Sequence, residues 1–202
     1  MTSLTHEDLG SAPQRERRRR ILDATIALAS HGGFEAVQMR AVAERADVAL
    51  GTLYRYFPSK IHLLVSALGR EFEEARTGFE RRALPGDTAA DRVMYVLSRV
   101  TRSLQRDPHL TEALTRAFMF ADASVSAEID VVVRHVSQML LRALHEQGER
   151  PGEITPTGQD EAVVKVLGDV WLASLVQWVT GRASADDVTR SLDVAVRLLL
   201  RR

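Results

Sequence analysis

Apolar residues recur every three to four positions through most of the chain, and almost no stretch alternates with the period of two that a half-buried strand requires. Within residues 15–31, Ile21, Leu22, Ile26 and Ala29 share one helical face. His31-Gly32-Gly33-Phe34 ends that helix, because glycine takes the left-handed conformation that closes a helix C-terminus. Residues 39–46 predict a short helix with Val42 and Ala43 inward, Asp47-Val48 a tight turn, and residues 49–56 a second short helix. Pro58 drives Phe57 out of the α region, and Ser59 is placed to cap the next helix. That helix covers about 59–81, with Ile61, Leu64, Val65, Leu68 and Phe72 on one face. After Leu84-Pro85-Gly86-Asp87 the pattern predicts helices at 88–105, 110–121, 124–148, 158–180 and 184–201. The expectation is an all-α fold of nine helices: a disordered tail over residues 1–14, a three-helix unit over 15–60, and a helical bundle over 61–202 joined to it by the long helix.

Composition narrows the function. The chain has 202 residues, 45% hydrophobic, with formal net charge zero. Residues 15–60 nevertheless hold nine Lys or Arg against five Asp or Glu, a local excess that points to an anionic partner. Cysteine is absent, which removes disulfides and thiolate metal sites and fits a reducing cytosol. The first dozen residues lack the apolar core of a signal peptide, and no run reaches the ~18 apolar residues of a membrane span. The expected location is therefore cytoplasmic, at the nucleoid, with no membrane partner. The six histidines show no metal-binding spacing, and neither a G-x-S-x-G elbow nor a phosphate-binding glycine loop occurs. No enzymatic activity, cofactor or metal is expected.

Two short helices joined by a tight turn and preceded by a longer one make a helix-turn-helix. The second, with Thr52, Tyr54, Arg55 and Tyr56, is too short to hold itself and is presented by the other two, so that its polar groups reach major-groove base edges and phosphates. Gly51 permits close backbone approach to DNA, and Lys60, at the positive end of the following helix, reaches a phosphate. The tract Arg15-Glu16-Arg17-Arg18-Arg19-Arg20 would ordinarily be a solvated charge run. Cations at a helix N-terminus oppose the macrodipole, however, so a phosphate or minor-groove role for residues such as Arg17 and Arg18 explains them better.

Residues 39–64, MRAVAERADVALGTLYRYFPSKIHLL, resemble the DNA-binding signature of TetR-family transcriptional regulators. The resemblance implies Arg40, Thr52 and Tyr54 as base readers and Arg55, Tyr56 and Lys60 as phosphate contacts, with Gln38, Leu50 and Gly51 completing the DNA surface. Gln38 stands where the family usually has a capping Thr, Asp47 replaces the turn Gly, and Ala49 replaces a capping Ser; Asp tolerates the left-handed turn. A narrower resemblance, to actinobacterial repressors of sterol catabolism, implies a homodimer on palindromic double-stranded operator DNA, released by a cholesterol-derived CoA thioester. The alternative is a repressor or activator of the same family responding to another hydrophobic inducer.

Two further sets complete the expectations. Trp171, Leu175 and Trp178 form one helical stripe, and Leu192, Val196 and Leu199 another. Each is core or subunit interface; because helix-turn-helix readers act in pairs, Leu175, Trp178, Leu192, Val196 and Leu199 are assigned to the dimer contact. Met94, Leu97, Leu104, Phe118, Met119, Phe120, Met139 and Trp171 form a Met- and aromatic-rich set suited to an adaptable apolar cavity between helices. Arg102, Arg106, Arg116 and Arg134 are available to a CoA phosphate.

Overall fold

The computed structural model describes residues 12–81, 83–145 and 155–200. Nine α-helices and one 3-10 turn form their regular structure, with no strand among the described residues: α1 (Ala12–Ala36), α2 (Met39–Arg45), α3 (Leu50–Tyr56), α4 (Lys60–Glu80), α5 (Ala89–Gln105), α6 (Pro108–Met119), the 3-10 turn Ala123–Val125, α7 (Ser126–Leu144), α8 (Gly158–Val179) and α9 (Ala185–Leu199). The all-α, nine-helix expectation holds. α1 starts at Ala12, so residues 12–14, assigned to the tail, are helical; residues 1–11 lie outside the described residues. Pro13 suits this start, since the first-turn N–H it lacks would have no helical partner. The helix breaks at Gly32-Gly33 as expected (Gly33 φ 66°), then resumes for a last turn to Ala36. α6 starts two residues early because the Asp107 side chain accepts from the Leu110 amide and Pro108 occupies the first turn. The last residues expected in the seventh helix, 146–148, lie outside the described residues.

The pair α2 and α3 is seven residues each, well below the length at which a helix is stable in water. Neither is capped by a side chain: Gln38 and Ala49 hold extended N-cap conformations without cap hydrogen bonds. A missing cap costs about 1 kcal/mol. Burial outweighs it. Val42, Ala43, Ala46, Leu53 and Phe57 are no more than 3% exposed against Ile21, Leu22 and Val37, and full burial of one Leu or Phe contributes about 1.5–3 kcal/mol. Asp47 sets the angle between the two helices. It takes φ 52°, and the next amide, Val48, donates to the Ala43 carbonyl at 3.0 Å.

α4 ties this unit to the rest. Every residue from His62 to Gly69 is buried, on all sides of the helix, among α1, α6 and α7. His62 adds two polar ties: Ser59 Oγ lies 2.9 Å from its Nδ1, and Ser124 O lies 3.1 Å from its Nε2. α1 packs along α6, α4 on α7, and α8 on α9, so buried residues run continuously from Ile21 to Val196. α8 is long and apolar enough to cross a membrane by length and composition, yet Val163, Val164, Leu167, Trp171 and Leu175 are buried against the chain's other helices.

The turn residue makes the fold testable. A β-branched residue at φ 52° is strained. Asp47→Val should lower unfolding free energy by about 1–2 kcal/mol in urea melts, whereas Asp47→Gly should leave it within about 0.5 kcal/mol.

Candidate nucleic-acid interface and ligand cavity

α3 turns Leu53 inward and leaves its other faces toward solvent. Gly51, Tyr54 and Arg55 are exposed, Tyr54 by 47%; Leu50, Thr52 and Tyr56 are half-buried. No atom lies within 4 Å of a Cβ built on Gly51, so the start of α3 is open to close approach. Arg40 on α2 is exposed beside it, as is Gln38, whose Nε2 donates to the Glu35 carbonyl at 2.9 Å. The structure thus gathers Gln38, Arg40, Gly51, Thr52, Tyr54, Arg55 and Tyr56 around two adjoining short helices.

The arginine tract divides. Arg19 pairs with Glu16 at 2.6 Å and Asp23 at 3.2 Å, one helical turn away on either side, and Arg20 approaches Asp47 at 3.9 Å. Because α1 starts at Ala12, these arginines occupy later turns, where the macrodipole penalty is weaker and local pairs absorb them. Arg18 lies over the Phe57 ring at 5.5 Å, which holds the start of α1 against the end of α3; Arg17 makes none of these contacts.

Lys60 differs from expectation. Its Nζ rests 3.9 Å from the Phe34 ring centroid rather than projecting from α4. Desolvation there lowers its pKa, opposed by Glu35 and reinforced by Arg116. Phe34 is a junction that the sequence pattern does not reveal. Its amide donates to Glu112 Oε2 on α6 at 2.8 Å, and Arg116 lies 4.4 Å from its ring while pairing with Glu35 at 3.0 Å. Gly33 makes the approach possible, since a Cβ there would sit 2.7 Å from the same Glu112 oxygen. The turn ending α1 is thereby fastened to α6.

The other side of α6 faces a cavity of about 590 Å³ bounded by α4, α5, α6, α7 and α8. Of the eight residues assigned to ligand binding, Leu104, Phe118 and Trp171 line it. Leu97 and Met139 are instead buried core, Met94 is half-buried outside the cavity, and Met119 and Phe120 end α6 with their side chains 55% and 67% exposed. Val132, Val136, Thr111, Thr115 and Ser137 also line it and were not assigned, because β-branched and small polar residues look like ordinary helix filler in sequence. Leu175, assigned to the dimer contact, lines the cavity and is buried. Leu192 and Val196 are fully buried in the chain's own core, so they have no surface to offer a partner; Trp178 and Leu199 are half-buried. None of Arg102, Arg106, Arg116 and Arg134 reaches the cavity, whose edge carries Glu161 and the ion pair of Lys165 with Asp169 at 2.6 Å.

A family model described as bacterial regulatory proteins, tetR family, matches residues 21–67, and one described as tetracyclin repressor-like, C-terminal domain, matches residues 86–199. The chain belongs to the TetR family. It is 56% identical to the HTH-type transcriptional repressor KstR of Mycolicibacterium smegmatis over 98% of this chain and 93% of that one. A TetR transcriptional regulator from Rhodococcus sp. RHA1 superposes with a TM-score of 0.84 at 36% identity, covering 94% and 98% of the two chains. The Bacillus subtilis regulator FadR, solved in complex with stearoyl-CoA, shares the fold at a TM-score of 0.65 and 20% identity, over 91% of this chain and 97% of that one. This TetR-family member is a DNA-binding transcriptional repressor like KstR and not an enzyme. Its helix-turn-helix is α2, the Asp47 turn and α3, and its C-terminal helices form the ligand-binding domain.

The roles expected of Arg55 and Thr52 on the reading head are separable by salt dependence. Arg55→Ala, which removes an exposed cation, should weaken operator and random DNA alike and flatten the slope of log affinity against log salt by about 0.9. Thr52→Ala should act on the operator alone, by about 1–3 kcal/mol. Anisotropy titrations at several salt concentrations measure both.

Proposed function

We propose that this repressor works as a homodimer on a palindromic operator, controls genes of sterol or related lipid catabolism, and is released by a steroid acyl-CoA thioester. The observation that carries the proposal is an apolar cavity of about 590 Å³ in a chain 56% identical to KstR over nearly its whole length. That FadR, of the same fold, holds stearoyl-CoA supports an acyl-CoA as the ligand class. The protein acts where the DNA is, at the nucleoid in the cytoplasm.

Coupling runs through two helices. α6 presents Thr111, Leu114, Thr115 and Phe118 to the cavity and Glu112 and Arg116 to the end of α1. α4 presents Leu68 and Phe72 to the cavity and begins at Lys60 and Ser59, directly after the reading head. A ligand that spreads these walls moves both attachments of the head. Two heads must meet major grooves about 34–36 Å apart, so a small rotation of each prevents simultaneous docking. The ligand acts only to the extent that it binds the DNA-incompetent state more tightly; a 100-fold loss of operator affinity needs about 2.7 kcal/mol of such preference.

For the subunit contact, the large exposed apolar residues of the last two helices are Val166 on α8 and Val194 and Leu198 on α9, at 42%, 53% and 60% exposure. Together with half-buried Trp178 and Leu199 they suit an isologous four-helix contact. A Val194→Arg, Leu198→Glu double variant should elute as a folded monomer in size-exclusion chromatography with light scattering, and should lose binding to a palindrome.

Anisotropy with DNA from upstream of the protein's own gene tests the whole proposal. Tight binding abolished by a steroid acyl-CoA is the expected result. Tight binding indifferent to the thioester would remove the sterol inducer and favour another hydrophobic ligand.

A further inference from the structure

We infer that ligand reaches the cavity through a passage between α7 and α8, and that Gly168 keeps this passage open. The inference rests on the proposal that the cavity takes a hydrophobic inducer, and is independent of which inducer that is.

The cavity has a closed floor and an open side. Leu68, Phe72, Thr111, Leu114 and Thr115, from α4 and α6, line it and are buried. The lining residues that are exposed are Val133 on α7, Pro156 just before α8, and Glu161, Lys165 and Asp169 on α8. Lys165, Gly168 and Leu172 follow one another at helical spacing on α8, and Val133, Val136 and Ser137 do so on α7, so both rows border the same space.

Gly168 stands in the α8 row without a structural duty. It lies inside the helix and is not among the glycines with positive φ. Glycine there weakens a helix relative to alanine, because it loses more backbone freedom on folding. At Gly69 in α4, close packing explains the glycine: a Cβ there would meet Val131 Cγ1 of α7 at 3.4 Å. No atom of the described residues lies within 4 Å of a Cβ built on Gly168, so the space it leaves is open. Lys165 and Asp169, on either side of it, pair with each other at 2.6 Å along α8, so neither ties α8 to α7. The gap is also clear of the helix ends and of the proposed subunit contact. Val133 and Gly168 lie eleven and ten residues from Leu144 and Gly158, where the connection between the two helices attaches, roughly 15 Å along each axis. Val166 is two residues from Gly168, roughly 200° round α8, so the surface offered to a partner subunit points away from the passage.

Stopped-flow tryptophan fluorescence reads the passage, because Trp171 forms part of the cavity wall. The full-length protein is mixed with progesterone or with palmitic acid, and dissociation is followed by dilution. Entry and exit share one path, so a side chain that plugs it slows both; one that clashes inside the cavity speeds exit instead. Gly168→Phe should slow association and dissociation of both probes by roughly 10- to 100-fold, the effect of forcing extra side-chain volume into a filled path. Its urea midpoint should not fall below that of wild type, since the helix loses a glycine and no neighbour is displaced. Val133→Trp narrows the same passage from α7, should slow both rates likewise, and decides the question if Gly168→Phe does not fold. Unchanged association in the folded variants, weaker binding through faster dissociation alone, or wild type that takes up neither probe would overturn the inference. Operator release by a steroid acyl-CoA is scored separately. Slowed probe exchange in Gly168→Phe beside a thioester that leaves the wild-type operator complex intact upholds the passage and removes the proposed inducer. A thioester that releases the operator from Gly168→Phe as fast as from wild type upholds the inducer and overturns the passage.

Discussion

The hydrogen bond from the Phe34 amide to Glu112, in the space left by the missing side chain of Gly33, joins a helix that carries the reading head to a helix that walls the cavity. It is a charge-assisted bond at 2.8 Å, reinforced by Arg116 and Lys60 over the Phe34 ring and by the Arg116–Glu35 pair. α1 packs along α6, and the bond adds a polar tie at the turn where α1 ends. With it, the head is held at two places by two helices that both face the cavity.

The reading head itself depends on this support. Its helices are short, uncapped and joined by a residue in a left-handed conformation, so their stability is tertiary. Leu53 and Phe57 supply burial on one side of α3, which releases Gly51, Thr52, Tyr54 and Arg55 from any structural duty on the other. Cations nearby are sorted by the same geometry. Arg19 and Arg20 are drawn into ion pairs, Arg18 into a contact with Phe57, and Lys60 onto Phe34, whereas Arg55 and Arg40 remain outward. Surface ion pairs of this kind contribute little stability. Their effect is to fix which positive charges are presented and which are occupied.

The sequence by itself determined the helices and the reading head. Period-3.6 patterning, the Gly32-Gly33 stop, Asp47 in the turn and Ser59 before α4 are local signals, and local signals act through backbone conformation and nearest neighbours. The family motif lies within 26 contiguous residues, so which short helices make the reading head was legible from it. Only the tertiary structure decided which face of each long helix is core, cavity or outer surface. Leu175, Leu192 and Val196 carry the same apolar signal as Val194 and Leu198, yet the first three are buried and the last two exposed, because neighbouring helices cover one side and not the other. Met119 and Phe120 look like cavity residues and lie at an exposed helix end, while Thr111 and Ser137 look like filler and line the cavity. The Phe34–Glu112 contact joins positions 78 residues apart, and no local pattern specifies which of many glutamates meets one amide.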